Sequence, residues 1–194
     1  MDFLVLLKLN ELIMNHIYNE EQFGENWFNY PEVYTHLVEI SNNEAHFVEV
    51  GSWKGKSSAY MVVEIINSRK NIKFDCIDTW ESSPETINID TSMLFETFVS
   101  NMKPLENYYT AKRGKSVDIA ETYTDNSLDF CFIDACHEYE YVRADIIAWY
   151  PKVKIGGIIA GHDYGSYAPG VVKAVHELIQ EPIQIQGQCW IKYK

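Results

Sequence analysis

A chain of 194 residues, 46% of them apolar, is long enough to bury one sizeable core and short for two. Its 16 basic and 28 acidic residues give a net charge of -12 with no long Lys/Arg run, a balance that repels a phosphate backbone and excludes nucleic acid as the expected partner. Cys76, Cys131, Cys136 and Cys189 form no CxxC pair and lie in or beside apolar runs, so they are expected as reduced thiols rather than zinc ligands or disulfides.

In chain order, the opening run MDFLVLLKLNELIMNHIY begins apolar, but Asp2 stands where a signal peptide needs basic charge, and Lys8 and Glu11 interrupt it short of a membrane span. No membrane partner is expected, and the protein is expected to be cytoplasmic. Leu6, Leu9, Ile13 and Ile17 share one side of an amphipathic helix, suited to capping a site or pairing with a second subunit in a homodimer. Helix and loop are expected from Asn15 to Ala45, so residues 1–45 form a helical cap on a core of residues 46–194, within one domain.

From His46 onward short β-rich runs alternate with helical patterns, the signature of crossover units and a mostly parallel sheet. The predicted strands are His46 to Val50, Lys73 to Ile77, Tyr108 to Ala111, Leu128 to Ile133 and Ile155 to Gly161. At the end, IQIQ (Ile183 to Gln186) and CWIKY (Cys189 to Tyr193) flank Gly187 and Gln188, a tight turn between antiparallel strands.

The first strand runs into VEVGSWKGKSS and then a densely apolar helix. Gly51 turns the chain off the strand, Gly55 lets backbone amides approach a ligand, and Ser57 with the helix start suits an anionic group. The second strand, FDCIDTW, delivers Asp78 to its carboxyl end, where an acid accepts both ribose hydroxyls of a nucleoside. Trp53 and Lys54 occupy the place where a dinucleotide fingerprint requires its second glycine, so a nicotinamide cofactor is disfavoured. Two later strands end in Asp134, followed by His137, and in His162 and Asp163, which converge on the same edge if the strands are adjacent. The alternative readings are that Asp134 and Asp163 cap the following helices and that His162 is a structural histidine. Tyr139, Tyr141 and Trp149 are expected to pack a helix on the sheet.

The segments E-V-G-S-W-K-G-K-S, C-I-D-T-W, F-I-D-A-C-H and G-G-I-I-A-G-H-D-Y resemble, in order and separation, the class I S-adenosylmethionine-dependent methyltransferases, and within them the catechol and macrocin O-methyltransferase-like subset. The resemblance spans about Phe47 to Lys194. It implies an α/β, Rossmann-like fold: a mostly parallel seven-stranded sheet, helices on both faces and a C-terminal antiparallel hairpin. It implies S-adenosylmethionine as cofactor, with Glu49, Gly51 and Ser57 around the methionine, Asp78 on the ribose, and Gly114, Lys115 and Ser116 beside the adenine. Ser52, Trp53, Gly55, Thr79, Trp80 and Asp134 complete the expected cofactor contacts. Asp134 and Asp163 match carboxylates that ligate a divalent metal, Mg²⁺ or another such ion. At the third ligand position those enzymes carry Asn or Asp, whereas this chain offers His162 or Tyr164, with His162 the candidate.

His137 falls where the catechol enzymes have a lysine base, so His137 and Asp134 are the expected catalytic pair. An alcohol acceptor needs a base or a metal to lower its pKa, and both are on offer here. The acceptor is expected to be a small polar molecule. Two other readings use the same pocket: a hydroxylase-like or nucleotide-sugar-modifying α/β enzyme, and a non-catalytic adenosine-ligand binding module.

Overall fold

The computed structural model describes residues 13–180 and 182–194. Seven strands form a single sheet: β1 (His46–Val50), β2 (Lys73–Asp78), β3 (Thr110–Arg113), β4 (Leu128–Ile133), β5 (Val153–Gly161), β6 (Gln184–Gln186) and β7 (Cys189–Tyr193). Their order across the sheet is β3-β2-β1-β4-β5-β7-β6. The first five are parallel, while β7 runs antiparallel to both β5 and β6, which gives the expected terminal hairpin.

The central strands are apolar throughout because both faces are covered. Alternation sorts their side chains: Phe47, Phe130 and Phe132 face one core, and Val48, Val50, Cys131 and Ile133 face the other. The first core is closed by helices α1 (Pro31–Ile40), α2 (Lys56–Ser68) and α3 (Leu94–Met102). The second is closed by α4 (Ser116–Ala120), α5 (Tyr139–Trp149) and α6 (Pro169–Leu178). On α6 the apolar spacing Val171, Ala174, Val175 buries one face, and Pro169 starts the helix where its missing N–H costs nothing.

The parts that differ from expectation have local causes. The start of β3 lies two residues later than its most apolar stretch, because TAKR is a polar edge strand whose pairing to β2 decides its register. β5 begins earlier, at Val153, and shifts register against β4 between Leu128 and Phe130, where Gly156 and Gly157 break the side-chain pattern. The helix expected at the N-terminus lies mainly outside the described residues. Its described end, Ile13 to Ile17, is not helical, and Met14 is instead tied by its N–H to the Asn67 side chain. Of the helical cap expected over residues 1–45, only α1 and a 3-10 turn at Glu21–Phe23 are helical among the described residues.

At the opposite end of the sheet from the strand ends that carry the motifs, Asp75 of β2 gathers three partners. His46 Nε2 lies 2.8 Å away, Lys112 Nζ 3.1 Å away, and the Tyr123 hydroxyl donates at 2.5 Å. Burial opposes ionisation, but these contacts outweigh it and lower the Asp75 pKa to about 2. A carboxyl whose pKa is depressed on folding stabilises above its unfolded pKa, and that contribution fades as pH falls through its folded pKa. Asp75→Asn is expected to cost about 2 kcal/mol at neutral pH, because it leaves buried donors poorly met. Urea unfolding of both proteins should show the gap narrowing as pH drops from about 4 toward 2; a gap that does not change with pH would rule out the ionised carboxylate as its source.

Candidate active site

The strand order reverses between β1 and β4, and in an open α/β sheet the crevice beyond that switch point is where ligands bind. A cavity of about 1200 Å³ opens there, along the carboxyl ends of β3, β2, β1, β4 and β5. Of the residues singled out from sequence, Gly51, Ser52, Trp53, Ser57, Asp78, Thr79, Gly114, Lys115, Ser116, Asp134, His137, His162 and Asp163 all line it. Glu49, Gly55 and Trp80 do not.

The glycine loop is organised from beneath. Asp78 Oδ2 accepts the N–H groups of Ser52 and Trp53 at 2.9 Å each, and Oδ1 accepts that of Trp80 at 2.8 Å. Burial raises the Asp78 pKa, while these backbone donors act in the opposite direction. Gly51 has φ +92°, and a Cβ there would lie 2.0 Å from the Asp134 carbonyl oxygen, so β1 and β4 can turn side by side only with glycine at this place.

The three residues outside the cavity support it. Glu49 is 1% exposed and takes hydrogen bonds from the hydroxyls of Tyr34, Ser52 and Ser58. It braces the loop from the core side instead of facing the cavity. Gly55, at φ +90°, makes room for Met102 and Phe98 of α3, so its bare backbone serves helix packing rather than ligand approach. Trp80 is buried between Phe95 and Phe98, with its indole N–H on the Trp53 carbonyl.

Asp134, His137, His162 and Asp163 meet at the ends of β4 and β5. His137 Nε2 lies 2.7 Å from Asp163 Oδ2 and 3.8 Å from Asp134 Oδ1, as ion-pair contacts rather than aligned hydrogen bonds. His162 Nδ1 lies 3.1 Å from Asp163 Oδ2 and 3.7 Å from Asp134 Oδ1. The carboxylates of Asp134 and Asp163 raise the His137 pKa to about 10. His162 rises to about 9 through the same carboxylates, although burial opposes it. Burial likewise works against the two acids, yet the imidazoles hold Asp163 well below the usual carboxylate range and lower Asp134. Asp163 takes φ +56°, a left-handed conformation that aspartate tolerates better than most residues. Neither acid caps a helix: the residues at the starts of α5 and α6 are Glu138 and Ala168.

One ligand atom each from Asp134, His162 and Asp163 lies within 4.8 Å of the others, a carboxylate and imidazole donor set that suits a divalent cation. The tautomer of His162 fits that use. Its Nε2 lies 3.0 Å from Asn29 Oδ1, so in the neutral ring Nε2 carries the hydrogen and Nδ1 turns its lone pair toward the acids. Asn29 is oriented in turn, because its amide N–H donates to Gln188 Oε1 at 2.9 Å. Tyr30 donates to Asp134 Oδ2 at 2.6 Å and leaves Oδ1 facing the histidines.

Sequence reasoning missed Asn29, Tyr30 and Gln188, which carry no motif. It also missed Glu85, whose carboxylate reaches from the loop after β2 to His137, accepting its backbone N–H at 3.0 Å and approaching Nδ1 at 3.2 Å. Asp145 was missed despite a legible signal: it falls with Val142, Ile146 and Trp149 on the buried face of α5, where an acid is out of place. Trp149 is buried as expected, and Tyr139 is half-buried against the second core as expected, with its hydroxyl donating to Glu177. Tyr141, expected to pack on the sheet, is instead 47% exposed and lines the cavity.

Comparison with known proteins agrees with this geometry. The chain is 25% identical over 179 residues to an uncharacterized protein of Acanthamoeba polyphaga mimivirus, covering 90% of this chain and 76% of that protein. Its fold is similar to that of the O-methyltransferase NovP, at TM-score 0.66 and 20% identity, covering 84% of this chain and 78% of that one. It is also similar to the MycE methyltransferase of the mycinamycin biosynthetic pathway, solved in complex with Mg and SAH, at TM-score 0.58 and 16% identity over 91% of this chain and 53% of that one. Among the described residues no helix is long and apolar enough to cross a membrane. Residues 48–164 match the model of the methyltransferase domain family, a span that runs from β1 through Gly51 and Asp78 to the acidic cluster, and the chain belongs to this family as an S-adenosylmethionine-dependent methyltransferase.

Proposed function

We propose that the enzyme methylates a hydroxyl of a small polar molecule, with a divalent cation at the acidic cluster. The observation that carries this reading is the convergence of Asp134, His137, His162 and Asp163 on the cavity wall directly beyond the Gly51 loop. In the NovP and MycE structures the same fold serves methyl transfer, and MycE is described with Mg.

S-adenosylmethionine supplies an electrophilic methyl on its sulfonium, and the cation supplies Lewis acidity toward the acceptor hydroxyl. The residues do the rest. The Gly51–Trp53 loop and Ser57 bound the methionine end, and Asp78 keeps lone pairs for the ribose beyond those it gives to backbone N–H groups. The donor set of Asp134, His162 and Asp163 would hold the cation. His137 stands beside that set, with Nδ1 against Glu85 and Nε2 toward Asp163. The two acids raise its pKa, and it acts as a base from its neutral form. The same carboxylates then stabilise the imidazolium that proton transfer from the hydroxyl creates. In the transfer the S–C bond breaks as the O–C bond forms, and the hydroxyl proton stays within the cluster.

Asp78→Ala is expected to weaken S-adenosylmethionine binding by roughly 30-fold, the scale of lost hydrogen bonds to a charged group. Calorimetric titration checks this, and unchanged affinity would remove Asp78 from the cofactor site. Asp163→Ala is expected to lose about 100-fold or more in cation-stimulated turnover, in line with the loss of a preorganised electrostatic group, while affinity for the cofactor stays within about threefold. Label transfer from S-adenosylmethionine to a panel of hydroxylated small molecules, with and without chelator, measures both. Parent-level turnover in the variant, insensitive to chelation, would overturn the cation reading.

A further inference from the structure

Asp145 is a buried carboxyl in the cavity wall for which the transfer reaction has no use. It is 6% exposed, and its one hydrogen bond among the described residues is from the Ser116 hydroxyl to Oδ1. No cationic side chain pairs with it among those residues. With so few donors, burial raises its pKa to about 6 despite the Ser116 hydroxyl. A buried acceptor in this position is costly unless something in the cavity supplies N–H groups.

The order of the strands identifies what arrives there. Along the cavity the strand ends present Ser116 beyond β3, Asp78 at β2, Gly51 at β1, Asp134 at β4 and Asp163 at β5. A donor whose methyl reaches the acidic cluster and whose ribose lies on Asp78 must extend its base the other way, over the β3 end. That end is walled by Gly114, Ser116, Tyr141, Ala144 and Asp145. The 6-amino group of a purine is the one part of the base with two N–H donors, the complement of a carboxylate short of them.

We infer that Asp145 accepts an N–H from the exocyclic amino group of the cofactor's adenine, with Ser116 holding its other oxygen, and that it thereby selects a 6-aminopurine over a 6-oxopurine. The inference rests on the cofactor placement proposed above. A 6-oxo group would point a carbonyl lone pair at the carboxylate and leave the buried acceptor poorly met, a mismatch that polar sites reject strongly. Asparagine at this position turns its amide either way, accepting from an amino group or donating to a carbonyl.

The test is calorimetric titration of the full chain and of Asp145→Asn with S-adenosylhomocysteine and with its deaminated counterpart, S-inosylhomocysteine. The parent is expected to prefer the adenosine ligand by roughly 30-fold or more. In Asp145→Asn the two affinities should come within about threefold of each other, chiefly because the inosine ligand binds better. A parent that binds both equally, or a variant that keeps the parent's ratio, would overturn the inference and leave Asp145 as an anchor for the start of α4. The parent measurement stands alone if the variant does not fold. If the parent binds neither ligand, the cofactor placement falls first and this inference with it, a result distinct from binding without selection.

Discussion

The backbone of Gly51 passes so close to that of Asp134 that even a methyl group would lie 2.0 Å from the Asp134 carbonyl oxygen. The rest of the site depends on this approach. It sets the end of β1 against the end of β4 at the switch point of the sheet, so that the cofactor loop and the acidic cluster share one wall. Asp78 then fixes the loop from the side by collecting the N–H groups of Ser52 and Trp53, and Glu49 fixes it from below through three hydroxyls. Buried acceptors matched by this many donors rigidify a loop, because each donor lost would leave an unmet charge or dipole in a dry place.

The two charged clusters of the protein use similar residues for opposite ends. Around Asp75 the partners are His46, Lys112 and Tyr123, which satisfy the single carboxylate and depress its pKa. At the carboxyl edge two acids face two imidazoles, and the match is uneven: two of the four contacts are 3.7–3.8 Å long and two are 2.7–3.1 Å. Two carboxylates this near each other need intervening positive charge. The same carboxylates raise the pKa values of His137 and His162, so that protonated imidazoles would supply it. A cluster balanced by removable protons, rather than by a lysine or arginine, keeps both acids available to a cation or a substrate hydroxyl.

Much of the fold was legible because the central strands are buried on both faces. The runs HFVEV and LDFCFI read as strands with the borders the structure gives, since nothing but a sheet interior suits them. The polar edge strand β3 had no such signature and was displaced. The order of the carboxyl-edge motifs was equally legible, because glycine and acids at strand ends follow from what a turn and a nucleoside require. Roles were harder to read than positions. Gly55 and Glu49 read as ligand contacts, but neither lines the cavity and their neighbours are α3 and the loop hydroxyls, because sequence shows that a position is special but not which neighbour makes it so. Asp145 shows the reverse: its place on an apolar helix face was visible as a conflict, and only the fold supplied Ser116 and the cavity beside it.

The family match begins at residue 48 and ends at residue 164, and this boundary has a chemical meaning. Within it lie the cofactor loop, Asp78 and all four residues of the acidic cluster. Outside it lie the residues that orient the cluster: Asn29 on His162, Tyr30 on Asp134, and Gln188 on Asn29. Trp27, Phe28 and Phe23 extend the same cavity wall from the N-terminal segment. Part of the cavity wall beside the acidic cluster is thus built from segments before and after the matched span, tied to it by hydrogen bonds. Such a wall can vary in shape while its few polar ties still orient the His162 ring and the Asp134 carboxylate. On the function proposed above, acceptor choice and the electrostatics of transfer would be coupled through Asn29 and Tyr30, which stand between the two.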